Sequence, residues 1–273
     1  MTASRVVIVG HGMVGHRFAE ALTTRDRDRR FQLTVLSEEA RPAYDRVALS
    51  SVFDGADEAA LRLPALDVPP ASLRLGVTGA SFDPARQVVV TSRGDEVGYD
   101  ELVLATGSYP FVPPVPGHDA PGCFVYRTLD DLDAIRLAAA SARSGVVIGG
   151  GLLGLEAANA LRLLGLEPHV VELAPHLMAA QVDDGGGALL AGLVRDLGVA
   201  VHCGVATTRV APDPASGRVT GVELADGSVI DGEVVVFAAG VRPRDELARA
   251  AGLTLGPRGG VAVDGAADDE GEE

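Results

Sequence analysis

Val6-Val7-Ile8-Val9-Gly10-His11-Gly12-Met13-Val14-Gly15 opens this chain, and Val146-Val147-Ile148-Gly149-Gly150-Gly151-Leu152-Leu153-Gly154 repeats the same design near its middle. Each stretch is a wholly apolar strand that runs into G-x-G-x-x-G and then into an amphipathic helix. The glycines divide the work. Gly10 and Gly149 permit the tight strand-to-helix turn, Gly12 and Gly151 let the backbone approach a pyrophosphate, and Gly15 and Gly154 let helix and strand pack closely. The helix N-terminus offers free N–H groups and the positive end of its dipole to phosphate. Further on, at the end of the next strand, each copy has a carboxylate: Glu38, or its neighbour Glu39, and Glu172. A carboxylate there grips a ribose diol. Two such fingerprints predict two dinucleotides held face to face, and the commonest electron-exchanging pair is a flavin and a nicotinamide.

Outward from the fingerprints, a strand apolar on both faces calls for a parallel sheet covered by helices. The first helix is expected to bury Val14, Phe18, Ala21 and Leu22, and the second Leu153, Ala157, Ala160, Leu161 and Leu164. Arg25–Arg30 reads as a solvated helix end, and residues 41–75 as irregular, with Pro42, Pro64, Pro69 and Pro70. Pro110-Phe-Val-Pro-Pro-Val-Pro-Gly117 can extend neither a helix nor a central strand and marks a crossing between domains. Helices are expected near 130–142 and 187–196, and strands near 169–171, 199–203, 219–224, 234–238 and 260–263. Residues 264–273 are acidic and apolar-poor, and read as a disordered tail.

The 273 residues carry 23 Lys+Arg, all of them arginine, against 38 Asp+Glu, for a net charge of −15. That balance repels nucleic acid and anionic membrane surfaces, so neither is an expected partner. No apolar run approaches the ~20 residues of a membrane span, and no leader precedes the first strand, so a cytoplasmic location is expected. Cys123 and Cys203 are the two cysteines, far apart and outside any C-x-x-C, which predicts reduced thiols and no redox dithiol or metal site. No side-chain acid, base or nucleophile is required by these motifs, so no catalytic residue is assigned.

The chain resembles the pyridine-nucleotide–disulfide oxidoreductase superfamily in its two fingerprints, in the turn Ala105-Thr106-Gly107, and in Ala239-Gly240-Val241-Arg242-Pro243, which looks like the second crossing motif. Gly12-Met-Val-Gly-His-Arg-Phe18, Tyr44-Asp-Arg-Val-Ala-Leu-Ser-Ser51, Phe124-Val-Tyr-Arg-Thr128 and Gly149-Gly-Gly-Leu-Leu-Gly-Leu-Glu-Ala-Ala158 extend the resemblance to the flavoprotein half of assimilatory NAD(P)H-dependent nitrite reductase large subunits. Family members outside that group tend to carry a lysine just after Tyr-Asp-Arg, where Ser50 and Ser51 stand here.

The resemblance implies an α/β, glutathione-reductase-like architecture: two Rossmann-like dinucleotide-binding domains, the NAD domain inserted in the FAD domain. Residues 1–112 would be the first part of the FAD domain, 113–240 the inserted NAD(P)H domain, 241–263 an incomplete return, and 264–273 the tail. FAD would be held by Gly10, Gly12, Gly15, Glu38, Arg46, Thr106 and Gly107. The nicotinamide dinucleotide would be held by Gly149, Gly151, Gly154, Glu172 and Gly240, with Glu156 near the nicotinamide ring. Glu172 predicts NADH over NADPH: at ~4 Å and an effective dielectric of ~20, each unit of 2′-phosphate charge meets up to ~4 kcal/mol of repulsion before screening.

The implied function is transfer of electrons from NADH through FAD to an acceptor domain or protein outside these residues; an oligomer is compatible with the sequence. The superfamily's closing FAD motif, the cluster cysteines and the sirohaem half have no counterpart here. Two alternatives therefore stand: a rubredoxin- or ferredoxin-reductase-like flavoprotein, and a truncated, non-enzymatic dinucleotide-binding fragment.

Overall fold

Strand β1 (Ser4–Val9) has no exposed apolar residue: Val6, Val7, Ile8 and Val9 are all buried. Their alternation feeds two cores. Val6 and Ile8 pack with Ala19, Leu33 and Val35 on the side of helix α1 (Met13–Arg25). Val7 and Val9 pack with Leu36, Val77, Val89, Val97 and Tyr99 on the other side. At ~1.5–3 kcal/mol per buried aliphatic side chain, this two-sided burial is what holds the strand at the centre of its sheet.

The computed structural model describes residues 3–263; the acidic segment 264–273, read above as a tail, lies outside them. Contacts divide the chain into two units. One comprises the residues up to Asp45, Leu61–Tyr109 and those from Arg242 onward; the other comprises Arg46–Ala60 and Pro110–Val241.

In the first unit, β1 pairs in parallel with β2 (Phe31–Ser37) and β7 (Glu101–Leu104), and β3 (Leu73–Leu75) extends the sheet beyond β2. An antiparallel meander of β4 (Gly79–Asp83), β5 (Val88–Thr91) and β6 (Glu96–Gly98) covers the Val7/Val9 face. The second unit repeats this plan. Its parallel sheet has the order β11-β10-β9-β15-β8, made of β8 (Cys123–Val125), β9 (Ser144–Ile148), β10 (Glu167–Glu172), β11 (Ala200–Cys203) and β15 (Val234–Phe237). Its meander is β12 (Thr207–Pro212), β13 (Val219–Leu224) and β14 (Val229–Asp231). Helices α2 (Leu129–Ala139), α3 (Leu152–Leu163) and α4 (Asp184–Asp196) complete it. Two Rossmann-type units, each a parallel sheet backed by a three-stranded meander, are therefore present.

Two expectations need correction. The buried face of α1 is Gly15, His16 and Ala19, whereas Val14 and Phe18 are exposed. Helix orientation is set by Gly15, which must lie flat on the strand end, and that turns Val14 and Phe18 outward. The strand expected at 260–263 is an isolated bridge between Leu255 and Val261, because Gly259 and Gly260 both adopt positive φ and reverse the chain.

In the second helix the expected stripe fits better: Ala157, Ala160 and Leu161 are buried, joined by Gly154 and Ala158. Segment Arg46–Ala60 is seated on α2. The Arg136 guanidinium donates to the Val52 carbonyl (3.1 Å), pairs with Glu58 (3.4 Å) and lies 5.2 Å from the Phe53 ring centroid.

A Cβ on Gly15 would collide with the Gly10 carbonyl oxygen, and one on Gly154 with that of Gly149. Gly15→Ala and Gly154→Ala are each expected to lower the free energy of urea unfolding by ~3 kcal/mol or more, because backbone is the obstacle. Gly192 in α4 has open space around it, so Gly192→Ala is expected to raise stability by ~0.5–1 kcal/mol.

Candidate functional site

The two fingerprint loops are built by the same hydrogen bonds. Gly10 N donates to Leu36 O (2.9 Å) and Ala105 N to Val9 O (2.8 Å); Gly149 N donates to Val171 O (2.8 Å) and Ala238 N to Ile148 O (2.9 Å). Gly10 and Gly149 take φ of +111° and +119°, and a Cβ on either would strike the carbonyl of Ala105 or Ala238. The turns Ala105-Thr106-Gly107 and Ala238-Ala239-Gly240 thus close over the fingerprints in equivalent positions.

Gly12 and Gly151 differ from their neighbours. Both have ordinary φ, −80° and −79°, and a Cβ built on either meets nothing within 4 Å. Packing within the chain supplies no reason for a glycine there. Each is the N-cap of its helix, yet makes no side-chain cap, and the first turn of neither helix holds an acidic residue. The other long helices are capped: Thr128 and Asp131 form a capping box on α2, and Asp183 accepts from Gly186 N (2.8 Å) on α4. A side-chain cap is worth ~1 kcal/mol over alanine and about a few tenths over glycine. The two helices that lack one keep their first N–H groups and dipole ends free for an anion, and a dinucleotide pyrophosphate fits both cradles.

In the first unit a cavity of about 390 Å³ extends from Gly10 past Leu36, Glu38, Gly79 and Thr106 to Arg244 and Leu247. It brings together Gly10, Glu38 and Thr106 of the expected set. Glu38 forms an ion pair with Arg244, carried by the returning chain. Arg244 N donates to Gly107 O (3.0 Å), and Thr106 Oγ1 donates to Arg244 O (2.6 Å). Thr106 and Gly107 therefore hold the return segment, and Thr106 also lines the cavity. The neighbouring Glu39 accepts from Tyr44 OH (2.9 Å). Arg244 was not anticipated; the only clue is a cation next to the second crossing motif.

In the second unit a cleft of about 620 Å³ is lined by Gly149, Gly151, Glu172 and Gly240, with Phe111, Leu173, Met178 and Val205 as apolar walls. Glu172 accepts from Gly150 N (2.5 Å) and Ala174 N (2.7 Å). Those bonds fix its carboxylate at the cleft, and each oxygen has further acceptor capacity for a ribose hydroxyl. His176 is engaged by the Leu177 carbonyl (2.9 Å) and Asp184 (3.2 Å).

Glu156 and Arg46 stand apart from this lining. Glu156, one turn into α3, accepts from Ser50 Oγ (2.6 Å), and Ser50 accepts from Tyr126 OH (3.1 Å). Tyr126 is fully buried, stacks on Phe53, and burial pushes its phenol up to about 12, so it remains a donor. Arg46 donates to the Arg127 carbonyl (3.1 Å). Burial also raises both thiols, Cys123 to about 11. Among the described residues no cluster of three or more His, Cys, Asp or Glu is placed to hold a metal, and no helix is long and apolar enough to cross a membrane.

Comparison with known proteins matches residues 4–269 to the pyridine nucleotide-disulphide oxidoreductase family. The nitrite reductase [NAD(P)H] large subunit of Klebsiella oxytoca is 52% identical over 267 residues, which are 97% of this chain and 28% of that protein. The nitrite reductase (NADH) large subunit of Escherichia coli K12 is 44% identical, over 96% of this chain and 31% of that protein. The chain thus spans about a third or less of these relatives. Among solved structures, the ferredoxin reductase for the CYP199A2 system of Rhodopseudomonas palustris superposes with a TM-score of 0.84 at 31% identity, covering 93% of this chain and 63% of that one. The double fingerprint, its two uncapped helices and these matches agree: the chain belongs to the pyridine nucleotide-disulphide oxidoreductase family.

Proposed function

We propose that this chain is the NADH-oxidising flavoprotein module of a nitrite-reductase-type large subunit. FAD occupies the first unit and NADH the second, and electrons leave to an acceptor outside these residues. The observation that carries this reading is the pair Gly12 and Gly151, two glycines that the chain's own packing does not require. Relatives named as NAD(P)H nitrite reductases support the assignment, as do ferredoxin–NAD reductases of lower identity such as the 32% identical Pseudomonas putida subunit.

The flavin, when bound, supplies two-electron acceptance from reduced nicotinamide and one-electron release. The protein's part is binding and placement. Helix α1 and the Gly10–Gly12 loop would hold one diphosphate, with Glu38 and Arg244 lining the adjoining cavity. Helix α3 and the Gly149–Gly151 loop hold the other, with Glu172 on the ribose diol. Ser50 and Tyr126 hold the Glu156 side chain in one orientation. Arg46 fastens the 46–60 segment beside α2 in addition to any flavin contact. With two cysteines in the whole sequence, these residues cannot ligate a four-cysteine cluster, so nitrite reduction itself belongs to parts beyond them. The module is expected to work in the cytoplasm.

Three outcomes test this. Anaerobic NADH should bleach the absorbance of the FAD-loaded protein and drive reduction of ferricyanide but not of nitrite; a flavin spectrum indifferent to NADH refutes the reading. Gly12→Val and Gly151→Val should both fold, since their side chains enter open space. The first should lose FAD and keep NADH, the second the reverse, each by at least about a hundredfold in Kd; retained binding would make that fingerprint structural only. Glu172→Gln should narrow the preference for NADH over NADPH by about tenfold, measured as paired Kd values. An unchanged ratio means the carboxylate does not meet the ribose.

A further inference from the structure

His11 lies between the two cradle glycines of the first loop, and His16 in the first turn of α1, where its N–H donates to Gly12 O (2.9 Å). Both rings are more than nine-tenths buried, at 7% and 5% exposure. They face each other, with His16 Nδ1 3.3 Å from His11 Nε2 and ring centroids 5.3 Å apart. The outer nitrogens, His11 Nδ1 and His16 Nε2, have no hydrogen-bond partner.

Proton counting makes this pair unusual. Two neutral imidazoles carry two N–H groups, and the central contact uses one. Whichever ring donates, one buried donor and one buried acceptor remain unsatisfied at opposite ends of the pair. An unsatisfied buried polar group costs ~1–3 kcal/mol, so such a pair needs a reason.

The charges acting on the pair are few. Burial, and then the neighbouring ring, hold His11 down to about 4; burial lowers His16, opposed by Glu20 one turn further along α1. Glu20 is itself engaged by Arg17 (2.5 Å). The positive end of the helix dipole also disfavours a cation here. A diphosphate at Gly12, one residue from His11, opposes these influences, because a nearby anion favours the protonated ring.

We propose that His11 and His16 form a proton-accepting element of the first dinucleotide site: binding of a diphosphate draws one proton onto the pair. This rests on the reading of the first unit as the FAD site. The sign follows from linkage. If binding raises the affinity of the pair for a proton, lowering the pH tightens binding, by at most tenfold per pH unit for one proton. The second loop has Gly150 in the place of His11, so the second site should lack the effect.

The test is titration calorimetry of the flavin-stripped chain with FAD in phosphate and in imidazole buffers, whose ionisation heats differ, repeated between about pH 8 and pH 6. The expected result is net uptake approaching one proton per FAD as pH falls, with Kd tightening severalfold. His11→Asn and His16→Gln should each abolish the uptake and flatten the pH dependence of FAD binding. NADH binding should show no such uptake in any of these proteins. FAD binding without proton exchange in the wild-type chain, as a buried water on the outer nitrogens would give, overturns the inference and leaves the flavin assignment standing. Uptake that persists in both variants also overturns it. Failure of the chain to bind FAD at all overturns both. The wild-type measurement decides even if a variant does not fold.

Discussion

In each unit the backbone of one helix presses onto the carbonyl at the end of one strand, Gly15 over Gly10 and Gly154 over Gly149. This contact admits no side chain, and much follows from it. It fixes which face of the helix meets the sheet, sets the helix N-terminus at the strand end, and leaves the middle glycine of the motif, Gly12 or Gly151, beside empty space. The aliphatic strands under it supply cohesion, yet they would pack as well beneath a differently tilted helix. The glycine contact selects the tilt that makes an anion cradle.

The cradle has a cost that appears only when the helices are compared. Helices α2 and α4 spend side chains on their own N-termini, through Thr128 with Asp131 and through Asp183. Helices α1 and α3 do not, although a Cβ at Gly12 or Gly151 meets nothing within 4 Å. Glycine at an N-cap forgoes about a few tenths of a kcal/mol relative to a capping side chain, and that is intelligible if a ligand supplies the missing acceptor. Two such helices in one chain are what the binding of two dinucleotides requires.

Local features were the legible ones. The fingerprints, Glu38, Glu172 and the crossing turns are short patterns whose geometry is imposed within a few residues, and the sequence displays them directly. The buried stripe of α1 was misread because hydrophobicity favoured Val14 and Phe18, whereas steric demand at Gly15 turned the helix. Arg244 meets Glu38 from 206 positions away, and no periodicity foretells a pairing of that range. The same holds for Ser50 on Glu156 and for Arg136 on the 46–60 segment. Nothing in the sequence marks His11 apart from its place between glycines; burial and the orphaned ring nitrogens distinguish it.

The central claim is that one chain binds two different dinucleotides at two separate cradles. Native mass spectrometry of the protein mixed with FAD and NADH tests it most directly. The account predicts a species carrying one FAD and one NADH, with the FAD retained as NADH is raised. Displacement of FAD by NADH, or a single dinucleotide per chain at saturation of both, would contradict it.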